Sequence, residues 1–95
     1  MTNRYAAKVD ANHADIRDGL RQCGFEVLDL SRAGEGVPDL LVRSRDGHPA
    51  FLEIKSNGGR LTPAETRFAA MTPGLYLVVY SLEEALDRLN EMDGG

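Results

Sequence analysis

The sequence predicts a small α/β domain in which helices flank a mixed β-sheet, with the element order α-β-β-β-α-β-α. Apolar residues recur at helical spacing in three segments, and short apolar runs bounded by glycine-containing turns lie between them. The last run follows a helix, as in a right-handed crossover that leaves it parallel to a neighbouring strand. The 95 residues suffice for one domain. We expect residues 12–93 to form it and residues 1–11, which lack periodicity, to form a flexible N-terminal arm.

The first helix is predicted to begin after Asn12, which reads as an N-cap, with Asp15 at the capping-box position. Gly24 is expected to end this helix, and a strand follows over 25–30. Cys23 is the only cysteine, which excludes an internal disulfide and fits a reducing cytoplasm. We expect it to be a small core residue.

A hairpin is predicted next, with strands over 38–43 and 50–56 and a turn at Asp46-Gly47. Folding the chain there brings Asp39 opposite Glu53, or one residue away. Directly opposed residues have Cβ atoms roughly 5 Å apart, a distance that one cation can bridge.

The second helix has a strong start signal: Thr62 as cap, Pro63 at the first helical position and Glu65 closing a capping box. A strand over 75–80 follows it. Ser81 is expected to cap the last helix, whose buried stripe is Leu82, Ala85, Leu86, Leu89 and Met92.

The formal net charge of −4 arises from the acidic residues of the last helix, which we interpret as a solvated face. No run approaches the roughly 20 apolar residues of a membrane span. We therefore expect a cytoplasmic protein and not a membrane protein.

The hairpin carries the chemistry. Asp39 and Glu53 are acceptor-only carboxylates, which suit a hard divalent cation. Strand alternation places Lys55 on the same face as Glu53, where its charge can polarise water or a phosphoryl oxygen. A Pro-Asp segment followed across a hairpin by Glu-x-Lys therefore predicts a metal-dependent phosphodiesterase centre. Each half alone is common and also fits solvated strand residues.

The ordered set of motifs resembles the VRR-NUC domains, a branch of the PD-(D/E)xK nuclease superfamily whose small stand-alone members are typical of phages and prophages. The resemblance lies in Gly36-Val37-Pro38-Asp39, Leu52-Glu53-Ile54-Lys55, Leu61-Thr62-Pro63-x-Glu65 and Ser81-Leu82-Glu83-Glu84. It implies the minimal PD-(D/E)xK fold and hydrolysis of DNA phosphodiesters with Mg²⁺ or Mn²⁺. It matches Asp39 and Glu53 to the metal carboxylates, Ile54 to a ligating backbone carbonyl and Lys55 to the catalytic lysine.

Two positions depart from the family pattern. Asp15 falls where the family has a helix-borne glutamate that assists the metal site, and Glu65 falls where it has glutamine. A capping box explains either residue without chemistry, so both assignments stay open.

The expected function is thus that of a metal-dependent DNA endonuclease. The DNA phosphates are expected to meet Arg43, Arg45, Arg60 and Arg67, which belong to a basic belt around the site. Because nothing in the sequence indicates base readout, we expect selectivity for branched, junction or flap DNA. We also expect a homodimer, because the core is small and two strands must be cut. The alternative is a non-catalytic nucleic-acid- or protein-binding module, or a subunit of a phage replication-repair complex, that keeps the fold.

Overall fold

The computed structural model describes residues 4–56 and 58–94, with side chains from residue 11 onward. The elements follow the predicted order α-β-β-β-α-β-α, which confirms the α/β class. They are α1 (Arg4–Gln22), β1 (Glu26–Asp29), β2 (Leu40–Arg43), β3 (Pro49–Ile54), α2 (Pro63–Met71), β4 (Tyr76–Val79) and α3 (Leu82–Met92).

The four strands form one mixed sheet in the order β1-β2-β3-β4. The first three strands form an antiparallel meander, and β4 is parallel to β3, as the crossover predicts. Leu40 pairs with Leu52 between β2 and β3. Continuing this register by one residue sets Asp39 opposite Glu53, which is one of the two arrangements expected from the turn.

The two faces of the sheet are covered differently. Helices α1 and α3 pack on one face and form the main core with it; its buried members are Ile16, Leu20, Phe25, Leu40, Val42, Ala50, Leu52, Ile54, Leu77, Val79, Ala85 and Leu89. Helix α2 lies on the other face, where the ring of Phe68 packs at 5.2 Å from that of Phe51 and 6.2 Å from that of Tyr76. In the described part of the chain, no helix is long and apolar enough to cross a membrane.

The start of the first helix differs from the prediction. Helix α1 begins at Arg4, so the N-cap assigned to Asn12 is wrong and Asp15 closes no capping box. The backbone of residues 4–11 is helical, whereas residues 1–3 of the expected arm lie outside the described residues. The alanines spread through this helix favour it by propensity, although the segment lacks apolar periodicity.

Cys23 is exposed, so its assignment to the core is wrong. The helix ends at Gln22 and the chain turns, and Phe25 enters the core instead, at 8% exposure. The Phe25 backbone N–H donates to the Leu20 carbonyl at 3.1 Å, and both side chains belong to the core.

The starts of the last two helices follow the sequence signals. Both hydrogen bonds of the Thr62–Glu65 capping box are present, and Ser81 accepts from the Glu84 amide. Gly36 packs closely against the backbone of α2. It has φ of 82°, and a Cβ there would lie 2.6 Å from the Ala64 backbone carbon, so only glycine permits this approach.

Candidate metal centre and adjoining cleft

Asp39 lies directly before β2, at the edge of the sheet where β3 ends. Its Oδ2 accepts a hydrogen bond of 2.8 Å from the backbone N–H of Ile54. The register sets its Cα opposite that of Glu53. The Pro-Asp and Glu-x-Lys segments are therefore joined by a backbone-to-carboxylate bond as well as by strand pairing.

Glu53 is a buried acid without full hydrogen bonding. The residue is 4% exposed, and its Oε1 has no hydrogen-bond partner among the described residues. Its Oε2 lies 3.5 Å from Lys55 Nζ. Burial raises the pKa of Glu53 to about 8, and the negative charges of Asp39 and Glu65 add to that effect. A nearby cation would therefore stabilise the ionised form of this carboxylate.

Lys55 is held by two carboxylates. Its Nζ donates to Glu65 Oε1 at 2.8 Å and lies close to Glu53. Although burial opposes it, the hydrogen bond to Glu65 and the charge of Glu53 raise the pKa of Lys55 above its ordinary value. The lysine is consequently cationic across the neutral range and rigidly placed.

Glu65 caps α2 and also pairs with Lys55, and its part in the metal site stays a prediction. Its Oε1 accepts from the Thr62 backbone N–H at 2.8 Å, which completes the helix cap, and it also binds Lys55. Burial opposes ionisation, but the hydrogen bonds from Lys55 and Thr62 hold the pKa of Glu65 below its ordinary value. The capping box thus places this carboxylate beside the catalytic lysine candidate.

The contact of α1 with this centre comes from His13, which the sequence did not single out. His13 Nδ1 lies 3.8 Å from Asp39 Oδ1, and its Nε2 lies 3.1 Å from Asp29 Oδ2. Asp15, the helix residue favoured by the resemblance, is exposed and makes no hydrogen bond or ion pair with the described side chains. Its assignment as a ligand stays a prediction.

Asp29 is firmly anchored at the end of β1. It accepts from the backbone N–H and the hydroxyl of Ser31 at 2.9 and 2.6 Å, and from Arg17 at 3.0 Å. Although partial burial opposes it, these hydrogen bonds hold the pKa of Asp29 well below its ordinary range. Asp29 is therefore a fixed anionic acceptor for the His13 ring.

An open cleft of about 730 Å³ adjoins the centre on the α1 side. Its walls come from α1, the end of β1 and the following loop: His13, Ala14, Arg17, Asp29, Ser31, Arg32 and Asp39. Asp39 thus faces a space large enough for a sugar-phosphate segment. Arg17 is already paired with Asp18 and Asp29, whereas Arg32 is exposed and makes no ion pair within the described chain.

The four arginines named from the sequence do not form one belt around Asp39. Arg43 pairs with Glu26, and Arg45 stacks over the Phe25 ring at 4.6 Å. Both lie toward the hairpin turn, about 13 Å or more along β2 from Asp39 at about 3.3 Å per residue. The other two, Arg60 and Arg67, are exposed in the loop before α2 and on α2, the helix that carries Glu65.

The residues that were missed share one property: their role depends on tertiary contact. They are His13, Asp29 and Arg32. One signal was present, because Asp29 lies near the end of one predicted strand and Asp39 near the start of the next, so neighbouring strand ends each carry a carboxylate. The bond from the Leu30 amide to the Asp39 carbonyl, at 2.8 Å, fixes that adjacency.

The residues fit a divalent cation of the kind that retains water. Within the described residues, no three His, Cys, Asp or Glu side chains form a ready-made metal cage. Mg²⁺, however, is typically bound by one or two carboxylates plus water and substrate phosphates. The buried, unpartnered Oε1 of Glu53 and its repulsion by Asp39 are features that such an ion would relieve.

The fold and this hairpin define the class of protein, which is a small α/β domain with the core fold of the PD-(D/E)xK nucleases. A solved structure titled "VRR_NUC domain" is similar to the chain with a TM-score of 0.55 and 27% sequence identity, covering 90% of this chain and 92% of that one. No family model and no curated protein matches the chain. The structural match confirms the resemblance to VRR-NUC domains and supports a nuclease-type domain.

Proposed function

We propose that the protein is a divalent-metal-dependent DNA endonuclease that selects branched, junction or flap DNA. The observation that carries this proposal is the pairing of Asp39 with Glu53 at one strand end, with Lys55 held 3.5 Å from Glu53. The similarity to a VRR_NUC domain supports the same chemistry, because PD-(D/E)xK nucleases generally use divalent metals.

Asp39 and Glu53 would hold Mg²⁺ or Mn²⁺, with the Ile54 carbonyl as a proposed additional ligand. When bound, such an ion activates water and neutralises charge on the phosphate. The hydrogen bond from the Ile54 N–H orients Asp39 toward this task. Lys55, kept cationic by its carboxylate partners, stabilises the negative charge that develops on the phosphate during hydrolysis.

The DNA backbone would enter the cleft beside Asp39. Arg32 lines this cleft and Arg60 and Arg67 are exposed near α2, so phosphates can be met from both sides of the centre. Such contacts position a duplex but carry no sequence information. Since nothing in the sequence indicates base readout, we propose that selectivity comes from the shape of the DNA.

The test is cleavage of four DNA molecules that share one sequence: linear, nicked, flapped and four-way. Each is incubated with Mg²⁺, with Mn²⁺ and with chelator. The proposal expects metal-dependent cutting that favours branched forms, lost in Lys55→Ala and retained in Glu65→Gln, which carries the usual family residue. Cutting that persists in chelator, or in Lys55→Ala, would contradict it.

A second candidate is a non-catalytic binding module, or a subunit of a phage replication-repair complex. One observation favours it: the Lys55 ammonium group is engaged by Glu65 at 2.8 Å instead of being free for a phosphate. This candidate predicts metal-independent DNA binding without cleavage in every divalent ion. It also predicts that Glu65→Gln, which releases the lysine, gains no activity.

We further propose a homodimer, which would bring two centres to the two strands of one junction. Strand β4 lies at the edge of the sheet, and Tyr80 directly after it is 41% exposed. Light scattering at micromolar concentration should give twice the mass of one chain. A monomer across the micromolar range, with cleavage first order in protein, would overturn the dimer.

A further inference from the structure

The ring of His13 has two differently engaged nitrogens. Its Nε2 lies 3.1 Å from Asp29 Oδ2, and that carboxylate is held by Ser31 and Arg17. A carboxylate that is ionised can only accept a hydrogen bond, so Nε2 must carry the proton of this contact. In the neutral ring, Nδ1 is then an acceptor with a free lone pair.

The other nitrogen faces a second acceptor. His13 Nδ1 is directed at Asp39 Oδ1 from 3.8 Å, which is too long for a hydrogen bond. Two atoms bound to the same ion at about 2.1 Å each lie roughly 3 to 4 Å apart, depending on the angle between the bonds. The spacing of this acceptor pair thus matches two ligands of one cation.

The surroundings of the ring match those of metal-binding histidines. Such residues almost always donate their second N–H to a carboxylate or carbonyl, which fixes the tautomer and the ring plane. The His13 side chain is 14% exposed, so the ring has little freedom to turn away. His13 and Asp39 line the same cleft.

We propose that His13 is a metal ligand of the Asp39–Glu53 centre, bound through Nδ1 and oriented by Asp29. The inference rests on the proposed function, because it concerns the same cation. It assigns a nitrogen ligand to helix α1, where the sequence pointed to the carboxylate of Asp15. A nitrogen ligand favours Mn²⁺ and later transition ions over Mg²⁺, which prefers oxygen.

The direct test is pulsed electron paramagnetic resonance on the Mn²⁺-loaded protein. The nuclear modulation of a ligating imidazole nitrogen differs between ¹⁴N and ¹⁵N, so the unaltered chain is prepared with each isotope in histidine alone. We expect a nitrogen signal that changes with the isotope. The chain contains two histidines, and His48→Gln should keep the signal whereas His13→Gln should lose it.

Calorimetric titration adds an independent readout. We expect His13→Gln to weaken Mn²⁺ binding at least tenfold while changing Mg²⁺ binding much less. Asp29→Asn should weaken Mn²⁺ binding by about 10- to 100-fold, as loss of an orienting partner typically does. Asp18→Asn is the matched control, because Asp18 is exposed and contacts Arg17 but not the histidine; it should bind as the parent does.

The outcomes separate the two proposals. Mn²⁺ binding that depends on Asp39 but shows no histidine nitrogen overturns the ligand role of His13 and leaves the proposed nuclease centre standing. Absence of Mn²⁺ binding to the folded parent overturns both. Since the isotope comparison uses the unaltered chain, a His13 variant that fails to fold does not remove the test.

Discussion

Replacing Glu53 with glutamine should change the pH dependence of stability in a defined direction. The native side chain is buried at 4% exposure beside two other carboxylates, and its pKa is raised from 4.5 to about 8 by burial and by the charges of Asp39 and Glu65. Ionisation of this group therefore opposes folding when no cation is present. Glutamine has nearly the same shape and no titratable charge.

The sign follows from linkage. Below pH 4.5 the acid is protonated in both the folded and unfolded states, so Glu53 does not lower the free energy of unfolding. Between 4.5 and about 8 the unfolded chain ionises while the folded chain holds its proton, so unfolding free energy falls as pH rises. At about 1.4 kcal/mol per pH unit, the whole interval corresponds to roughly 5 kcal/mol, an upper bound because water entry and relaxation reduce it.

A domain of this size has only about 5–15 kcal/mol of stability, so the effect is easily measured. The assay is urea unfolding in chelator at pH 5.5, 7 and 8.5 for the parent, Glu53→Gln and the exposed control Glu83→Gln. We expect the variant to gain on the parent as pH rises, by several kcal/mol at pH 8.5. Added Mn²⁺ should then stabilise the parent and Glu83→Gln but not Glu53→Gln.

All other ionisable groups except position 83 are common to the three proteins, so their contributions cancel in the comparison. Parallel stability curves for the parent and Glu53→Gln would refute the reasoning, because the buried acid would then have an ordinary pKa. A stabilising effect of Mn²⁺ on Glu53→Gln as large as on the parent would remove Glu53 from the metal centre.

Three further results are expected. Lys55→Ala should lose cleavage but bind Mn²⁺ at least as tightly as the parent in calorimetry, because a nearby positive charge has gone. Arg32→Ala should weaken DNA binding in a salt titration more than Arg45→Ala, because Arg32 lines the cleft while Arg45 stacks on Phe25. Gly36→Ala should lower the free energy of unfolding by 1–3 kcal/mol in urea, because its φ of 82° disfavours a side chain and the added Cβ meets the α2 backbone; equal stability would contradict that packing.

Short-range sequence signals predicted much of this fold. The Thr62–Glu65 capping box and the Asp46-Gly47 turn each act within a few residues, so they need no knowledge of the rest of the chain. The turn limited the hairpin to two registers, with Asp39 opposite Glu53 or one residue away. That is why these two carboxylates could be placed side by side from one sequence.

The assignments that the sequence missed or made wrongly depend on the rest of the chain, in most cases on contacts between segments that are far apart in it. Asn12 is of a residue type that commonly caps helices, but the residues before it have enough helix propensity for α1 to begin at Arg4. His13 and Asp29 are unremarkable in sequence, and only the packing of α1 against the end of β1 brings them together at 3.1 Å. The stacking of the Arg45 guanidinium on the Phe25 ring likewise depends on tertiary structure, and the phosphate contact assigned to Arg45 stays a prediction.

The central claim is that Asp39, Glu53 and Lys55 form a metal-dependent centre that cuts DNA. The most direct measurement is single-turnover cleavage of a four-way junction by the parent and Lys55→Ala, each shown by calorimetry to be loaded with Mn²⁺. The account predicts cutting by the parent alone, with both proteins equally loaded and equally bound to DNA. Equal cleavage by the two proteins would contradict it. So would the absence of cleavage by the Mn²⁺-loaded parent, whether it is a monomer or a dimer.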